Sequence, residues 1–446
     1  MGKNNNNYWV KSGFFAISQR ISIPLFGVGT FLIIIRSLTK EEMGVWALFM
    51  SITTAIEVGR NGLIKAAMVK FFTEAVDEHK KEVLSSAFYI NLIYTTIVQV
   101  LLVVSSGYLS GFFESDQLGQ MILYYSISAV LFIPFSHLEY VQQANLNFKG
   151  IFISYFVKQG WFFATICFLI LILDQNISLI QLVLFQAISV FLGAVSSYIT
   201  SRKYLVYNLR LSSEWISKLF SFGKYGLYTN LSNSALTTSD HILIGGLLSS
   251  TSVAIHNVAA RITNVFVIPS VAVADILYPK TVRANEDDGV NAVKSLYEKA
   301  VAATLVPMIP VIIVVQLVPE FIIYLLAGSD YIEATPILRV TILGIIILPF
   351  LKQFGTVMNT LNKPHYNFYF VLCIALLNIG LNYQLISMFG ILGGAIATLI
   401  SYVIGFVSCQ LILQKVGGIS TSAVFKYTIN YYTQMFKWTL TKIAKK

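Results

Sequence analysis

A small set of charged side chains stands inside long apolar runs of this sequence. The cations are Arg20, Arg60, Lys158, Arg261, Arg339 and Lys352, and the anions are Glu57, Glu139, Asp240 and Asp275. Ionisable groups in apolar surroundings are costly to bury, so they usually face a cavity or one another. Because cations are in excess, and a guanidinium presents a fork of donors that fits phosphate and carboxylate oxygens, this pattern favours an anionic ligand.

Four of the cations are predicted to line one binding cavity: Arg20, Lys158, Arg261 and Arg339. The first three lie well inside their apolar runs, and the fourth lies nearer one end. Arg60 and Lys352 lie close to the ends of their runs. We interpret them as long side chains that extend to the lipid headgroups.

Three acidic residues are predicted to bind a coupling ion, H⁺ or Na⁺: Asp240, Asp275 and Glu57. A carboxylate in apolar surroundings can exchange a proton or hold a cation. Asp240, which His241 follows, is the better candidate. The alternative for the aspartates is a neutralising role beside an arginine, and Glu57 lies three residues from Arg60 on one helical face. We expect no other metal and no organic cofactor.

Sequence motifs of enzymes are missing from the chain. None of the five histidines has an aspartate five residues on, and no Gly-x-Ser-x-Gly motif or phosphate-binding loop occurs. The three cysteines all fall in apolar stretches, which argues against disulfides and thiol-ligated metals. We therefore expect a protein that is not an enzyme. A membrane-bound glycan polymerase or ligase is the alternative from another class.

The apolar runs are long enough to be membrane-spanning helices. Of the 446 residues, 56% are hydrophobic and 12% are charged, whereas a soluble domain has roughly 25% charged residues. A helical span needs about 20 apolar residues. We predict an all-α integral membrane protein with twelve spans: 12–35, 43–66, 84–110, 118–142, 149–173, 178–200, 219–248, 253–279, 296–323, 332–358, 366–388 and 391–414.

Lysine and arginine are distributed unequally between the two sets of connections. If the N-terminus is cytoplasmic, the opposite side holds only Arg36 and Lys40. Cytoplasmic loops carry such an excess of positive charge, so we place both termini in the cytoplasm. The net charge of +10 then reflects topology and attraction to anionic lipids, and we expect no nucleic-acid partner. Residues 416–446 are predicted to form a basic amphipathic tail on the inner leaflet.

The chain resembles two copies of one six-helix unit. A basic connection at 201–218 separates an N-terminal lobe, residues 1–200, from a C-terminal lobe, residues 219–415. Several positions align at a nearly constant offset, among them Ile34 with Ile244, Leu38 with Leu248 and Leu146 with Leu361. Both halves enter from the cytoplasm, so the repeats are parallel and would enclose a central cavity.

Three segments resemble Wzx-type polysaccharide flippases of the MATE/MOP exporter superfamily. IIIRSLTKEEMGVWAL is similar to the family segment ARLLGPEEFGLYAL, and GILGGAIATLISYV is similar to GLLGAALATLLSYL. The third segment is DHILIG followed by NVAARITNVFVIPSVAVADILYPK. It resembles the pattern of the family's second half, D-x-x-L-L-G … Y-x-x-A-x-R … P … L-F-P. The similarity runs from about residue 13 to 415, and it departs from the family at His256, where a tyrosine is usual.

The resemblance implies a V-shaped transporter in the bacterial cytoplasmic (inner) membrane that works by alternating access. Its cargo would be an undecaprenyl-pyrophosphate-linked oligosaccharide for O-antigen or lipopolysaccharide synthesis. Polysaccharide polymerase and assembly proteins are expected as partners, beside membrane lipids. The alternatives within the superfamily are an H⁺- or Na⁺-coupled multidrug antiporter and a lipid II flippase.

Overall fold

The computed structural model describes residues 3–205, 211–361 and 363–443, and the described chain forms sixteen α-helices without a β-strand. The first seven are α1 Lys3–Ser37, α2 Lys40–Glu74, α3 Asp77–Phe112, α4 Asp116–Ala144, α5 Phe148–Cys167, α6 Leu179–Ser201 and α7 Ser213–Leu247. The others are α8 Ser250–Val265, α9 Ile268–Asp288, α10 Val290–Leu317, α11 Pro319–Ala327, α12 Thr335–Gly344, α13 Leu348–Thr360, α14 Pro364–Phe389, α15 Ile391–Gly417 and α16 Thr421–Ile443.

The chain divides into two compact units. The first comprises Met1–Ser234 and Ser249–Ala254, and the second comprises Ala235–Leu248 and Ile255–Lys446. The division falls inside α7, so residues 213–234 of this helix pack with the N-terminal unit. The lobe boundary at residue 219, drawn from the sequence, stays a prediction.

Hydroxyl residues fix the starts of two helices in the first unit. Thr39 caps α2: its hydroxyl accepts from the Glu42 backbone N–H at 3.2 Å, and its own N–H donates to the Glu42 carboxylate at 3.0 Å. Ser178 and Gln181 make the same reciprocal pair at the start of α6. Such capping boxes satisfy N–H groups that the first turn of a helix leaves unpaired.

Prolines divide three of the predicted spans. Pro269 stands at the start of α9 and Pro349 at the start of α13, so the predicted spans 253–279 and 332–358 are each two helices. Pro319 likewise starts α11, and α10 ends at Leu317 within the predicted span 296–323. Proline lacks an N–H and has a helical φ, which suits the first turn of a new helix better than a helix interior. Pro24, Pro134 and Pro307, in contrast, lie inside α1, α4 and α10.

Eight helical stretches among the described residues are long and apolar enough to cross a membrane: His79–Phe112, Asp116–Ala144, Phe148–Ile172, Leu179–Tyr204, Val290–Leu317, Ser329–Thr360, His365–Phe389 and Ile391–Gly417. The long helices α2 and α7 do not reach that apolarity. Both correspond to predicted spans, and both carry candidate functional residues, Glu57 and Asp240.

Glycines bring α2 and α7 together within the first unit. A Cβ atom added to Gly226 would lie 2.3 Å from the carbonyl oxygen of Gly62, and one added to Gly223 would lie 1.8 Å from that of Leu63. Asn230 Nδ2 donates to the Val58 carbonyl at 3.3 Å beside this contact. The two backbones therefore meet at a distance that only glycine permits.

The C-terminal helix α16 packs lengthwise against α10 in the second unit. The Ser420 N–H donates to Glu298 Oε1 at 3.1 Å, and the Tyr432 hydroxyl donates to the Val306 carbonyl at 2.6 Å. Val424 is fully buried in the apolar cluster that α10 forms with α13 and α15. Both contacts advance along the two helices in the same direction, so α16 runs parallel to α10. The placement of residues 416–446 on the inner leaflet stays a prediction.

Candidate functional site

A cavity of about 360 Å³ lies within the first unit, among α1, α2, α4, α5 and α6. Four charged residues of the described chain line it: Glu57 and Arg60 from α2, Glu139 from α4 and Lys158 from α5. Polar amide and hydroxyl side chains and several aromatic rings complete its wall. Each helix presents the groups from the face that is buried against its neighbours, so the cavity is polar inside an otherwise apolar bundle.

Glu139 is held by two hydrogen bonds. Lys65 Nζ donates to Oε1 at 2.7 Å, and the Tyr155 hydroxyl donates to Oε2 at 2.8 Å. The carboxylate is buried, with 6% of its side chain exposed, whereas Lys65 is 34% exposed. This ion pair links α2, α4 and α5 at one end of the cavity, and its charge is balanced.

Arg60 and Lys158 have aromatic rings as neighbours. The Arg60 guanidinium lies 5.1 Å from the Phe132 ring centroid, and Lys158 Nζ lies 4.9 Å from the same ring. The Lys158 ammonium is also 4.8 Å from Phe135 and 5.2 Å from Tyr155. Ring faces attract cations, but more weakly than a carboxylate does in a dry site.

One nitrogen of Arg60 is available for a ligand. The residue is 2% exposed, and within the described part of the chain its Nη1 has no hydrogen-bond partner. Glu57 lies one turn away on α2 and forms no ion pair with Arg60 among the described residues. The neutralisation of Glu57 by Arg60, one of the alternatives from the sequence, is therefore not a direct contact.

A smaller cavity of about 90 Å³ in the second unit surrounds Asp240. Asn382 Nδ2 donates to Asp240 Oδ1 at 2.7 Å, and the Thr398 hydroxyl donates to Oδ2 at 2.9 Å. Asn378 joins the network, accepting from Asn382 Nδ2 at 3.0 Å and from the Ser239 hydroxyl at 2.8 Å. A single buried carboxylate thus stands among neutral oxygen-bearing side chains from α7, α14 and α15.

Two histidines lie beside this network. His256 Nε2 is 3.8 Å from Asp240 Oδ2, and the His256 and His241 rings meet edge to face at 5.5 Å. His256 is 2% exposed, and neither of its ring nitrogens has a hydrogen-bond partner in the part of the chain that the structure describes. The position that departs from the family pattern therefore lies at the candidate ion site.

The predicted site residues fall into separate groups. Lys158 and Glu57 share the first cavity, and Asp240 lies in the second. Arg261 and Arg339 are exposed and line neither cavity. Arg20 and Asp275 have side chains outside the described residues.

Sequence reasoning missed several members of these sites. The interpretation of Arg60 as a side chain that extends to the headgroups is wrong, because it is buried in the first cavity. Asn378 and Asn382 were not singled out. Their signal was present, since two amides four residues apart share one face of the apolar helix α14.

A model of the family described as polysaccharide biosynthesis protein matches residues 33–336, which is more than half of the chain. The chain belongs to this family. The predicted resemblance to polysaccharide flippases is thereby confirmed at the level of the family.

The chain is similar in sequence to three proteins whose names indicate flippases or glycan biosynthesis. It is 23% identical over 376 residues to the probable low-salt glycan biosynthesis flippase Agl15 of Haloferax volcanii, covering 83% of this chain and 76% of the relative. It is 28% identical over 237 residues to the probable flippase AglR of the same organism, covering 51% of this chain and 49% of the relative. It is 22% identical over 298 residues to the teichuronic acid biosynthesis protein TuaB of Bacillus subtilis, covering 66% of this chain and 60% of the relative. The chain spans about half the length of AglR.

Solved structures share the fold. The lipid II flippase MurJ in an inward closed conformation matches with a TM-score of 0.75 and 17% identity, covering 96% of this chain and 92% of MurJ. An inward-facing multidrug resistance MATE transporter of the MOP superfamily matches with a TM-score of 0.73 and 16% identity, covering 91% and 100%. The all-α membrane fold predicted for this family member is thus confirmed, and the count of twelve spans stays a prediction.

Proposed function

We propose that the protein moves lipid-linked oligosaccharides from the cytoplasmic to the outer leaflet of a bacterial cytoplasmic membrane by alternating access. Arg60 and Lys158 carry this proposal, because two cations at membrane depth are held by aromatic rings and need an anionic partner. The anionic groups of an undecaprenyl-pyrophosphate-linked glycan would supply that partner. The similarity to the low-salt glycan biosynthesis flippase Agl15 and to the teichuronic acid biosynthesis protein TuaB supports a glycan as cargo.

We assign the binding of such a cargo to cationic residues of both units. Lys158 and Arg60 would bind it in the first unit, and Arg261 and Arg339 in the second. Arg20 would contribute from α1. Arginine suits phosphate and carboxylate groups alike, since its fork of donors reaches two oxygens at once. An exporter of cationic drugs would instead need an excess of carboxylates at these positions.

The proposed coupling site is Asp240 with its neighbours. Thr398 Oγ1 contacts the Asp240 carboxylate directly, and Asn378 Oδ1 contacts the same Asn382 Nδ2 that contacts Asp240. Asn382 Oδ1 is buried without a hydrogen-bond partner in the described chain. A small set of hard oxygen ligands with a single negative charge suits Na⁺. A proton on Asp240 is the alternative, and Glu57 and Asp275 are further candidates for coupling.

The proposal is tested by deleting the gene and measuring both the surface polysaccharide and the pool of lipid-linked oligosaccharides by mass spectrometry. Loss of the surface glycan, with complete repeat units accumulating on the cytoplasmic leaflet, is the expected result. Intact glycan combined with sensitivity to cationic drugs would instead indicate a drug antiporter. Accumulation of incomplete repeat units would indicate a glycan-building enzyme.

Coupling is tested in proteoliposomes with a fluorescent lipid-linked glycan. Asp240→Asn should abolish the dependence of translocation on an Na⁺ or H⁺ gradient, because the neutral amide keeps the size but loses the charge. Asp330→Asn is the matched control, since that aspartate is exposed in a connection. Normal gradient dependence in Asp240→Asn would make this aspartate a structural residue.

A further inference from the structure

The cavity in the first unit has the properties of a subsite for one sugar. We propose that it binds an acidic sugar of the cargo glycan and that Arg60 and Lys158 hold the single carboxylate of this sugar. The inference rests on the proposed function and narrows the cargo to a class of glycan.

The charges of the cavity match a ligand with one negative charge. Lys65 neutralises Glu139 through a direct ion pair. Among the residues that the structure describes, the other charged groups of the cavity are Arg60, Lys158 and Glu57, which leave an excess of one positive charge. A carboxylate would bring the site to neutrality, whereas a pyrophosphate would leave negative charge in excess within an apolar bundle.

The rest of the wall suits a sugar ring. Gln159, Gln186 and Ser189 line the cavity, and within the described chain Gln186 Oε1 is buried without a hydrogen-bond partner. These groups, together with the Glu57 carboxylate, can donate to and accept from ring hydroxyls. Phe162 also lines the cavity and can offer an apolar face to a sugar ring. A cavity of about 360 Å³ has the volume of roughly a dozen water molecules, which is room for one sugar unit.

The geometry of Lys158 leaves its ammonium ready for this contact. Rings surround the ammonium at 4.8–5.2 Å, and no ion pair or hydrogen bond engages it in the described part of the chain. The Arg60 guanidinium lies near the same Phe132 ring, and both cations line this cavity. A carboxylate there could accept from both, because its two oxygens accept hydrogen bonds independently.

Binding is measured first, by the melting temperature of the full-length protein in lipid nanodiscs. A ligand that binds only the folded state raises this temperature in a concentration-dependent way. D-Glucuronate should raise it, whereas D-glucose and inorganic pyrophosphate at equal concentration should raise it less. In Lys158→Met the glucuronate concentration for half of the shift should rise roughly tenfold, since a charge-assisted hydrogen bond is lost. Lys158→Arg should retain the response.

The matched control is Lys70→Met. Lys70 is also held over aromatic rings, 4.6 Å from Phe222 and 5.3 Å from Phe71, but it is exposed and lies outside the cavity. Its variant should respond to glucuronate as the wild type does. An equal response to glucose, a larger response to pyrophosphate, or an unchanged response in Lys158→Met would each overturn the proposal.

Transport separates this inference from the proposed function. The rate of translocation is measured in proteoliposomes for two lipid-linked trisaccharides. The two cargoes differ in one sugar, which is glucuronate in the acidic cargo and glucose in the neutral one. Lys158→Met should slow the acidic cargo by at least tenfold relative to the neutral one. Equal slowing of both cargoes would assign Lys158 to the shared pyrophosphate and overturn the subsite. If the wild-type protein moves neither cargo, the proposed function itself fails, whatever the glucuronate response is.

Discussion

Replacing Lys65 with methionine should destabilise the protein more than replacing its partner Glu139 with glutamine. The Glu139 side chain is 6% exposed and that of Lys65 is 34% exposed. Without Lys65, the buried carboxylate keeps the Tyr155 hydroxyl as its one direct partner among the described residues, and breaking a buried pair in this way costs about 3–5 kcal/mol. Without the Glu139 charge, the Lys65 ammonium can still reach water. The free energy of unfolding should then fall by the contribution of one hydrogen bond to a charged group, about 1.5–3 kcal/mol.

The free energy of unfolding of each variant is measured by reversible unfolding in mixed SDS micelles. Glu214→Gln provides the control, because Glu214 and Lys218 form the same kind of lysine–glutamate ion pair at an exposed position. The hydrogen bond and the positive charge of Lys218 hold the pKa of Glu214 below its ordinary value, but an exposed pair contributes little to folding. No measurable change is expected for this control. Equal losses in Lys65→Met and Glu139→Gln, or the reverse order, would refute the reasoning from burial.

Two further predictions concern packing. Gly226→Leu should reduce the folded fraction measured by fluorescence-detected size exclusion, because its Cβ would lie 2.3 Å from the Gly62 carbonyl oxygen and overpacking costs about 1–3 kcal/mol. Gly107 lies in open space, so Gly107→Leu should be tolerated. Equal folded fractions of the two variants would contradict the close helix contact. Removing residues 419–446 should lower the melting temperature of the protein, because it removes the Tyr432 hydrogen bond to Val306 and the buried Val424. An unchanged melting temperature would contradict the docking of α16.

The helical elements were largely predictable from the sequence because apolar length is a local property. The exceptions lie at prolines. Pro269, Pro319 and Pro349 interrupt apolar runs that a hydropathy pattern reads as continuous, and each begins a new helix. Apolar length alone cannot separate a kinked helix from two helices, since both bury the same residues.

The sites were harder to predict than the elements. Asp240 was predicted as a candidate, but the contacts that surround it come from Asn382, 142 positions away, and Thr398, 158 positions away. Arg60 was misread because its distance from the end of a run gives no information about the cavity beside it. A one-dimensional pattern records depth along a helix, whereas burial depends on which face the neighbouring helices cover.

The glycine contact between α2 and α7 has a consequence for how the chain is made. Neither helix is apolar enough to qualify as a span by composition, and each has the other as a close backbone neighbour. Gly226 is synthesised roughly 160 residues after Gly62. At a synthesis rate of about 5–20 residues per second, the delay is on the order of 10–30 s. During that interval α2, with its charged residues, lacks its partner in the lipid. Because α2 packs against the apolar helices α3 and α4, we expect these two helices to shelter its charged residues until α7 is made.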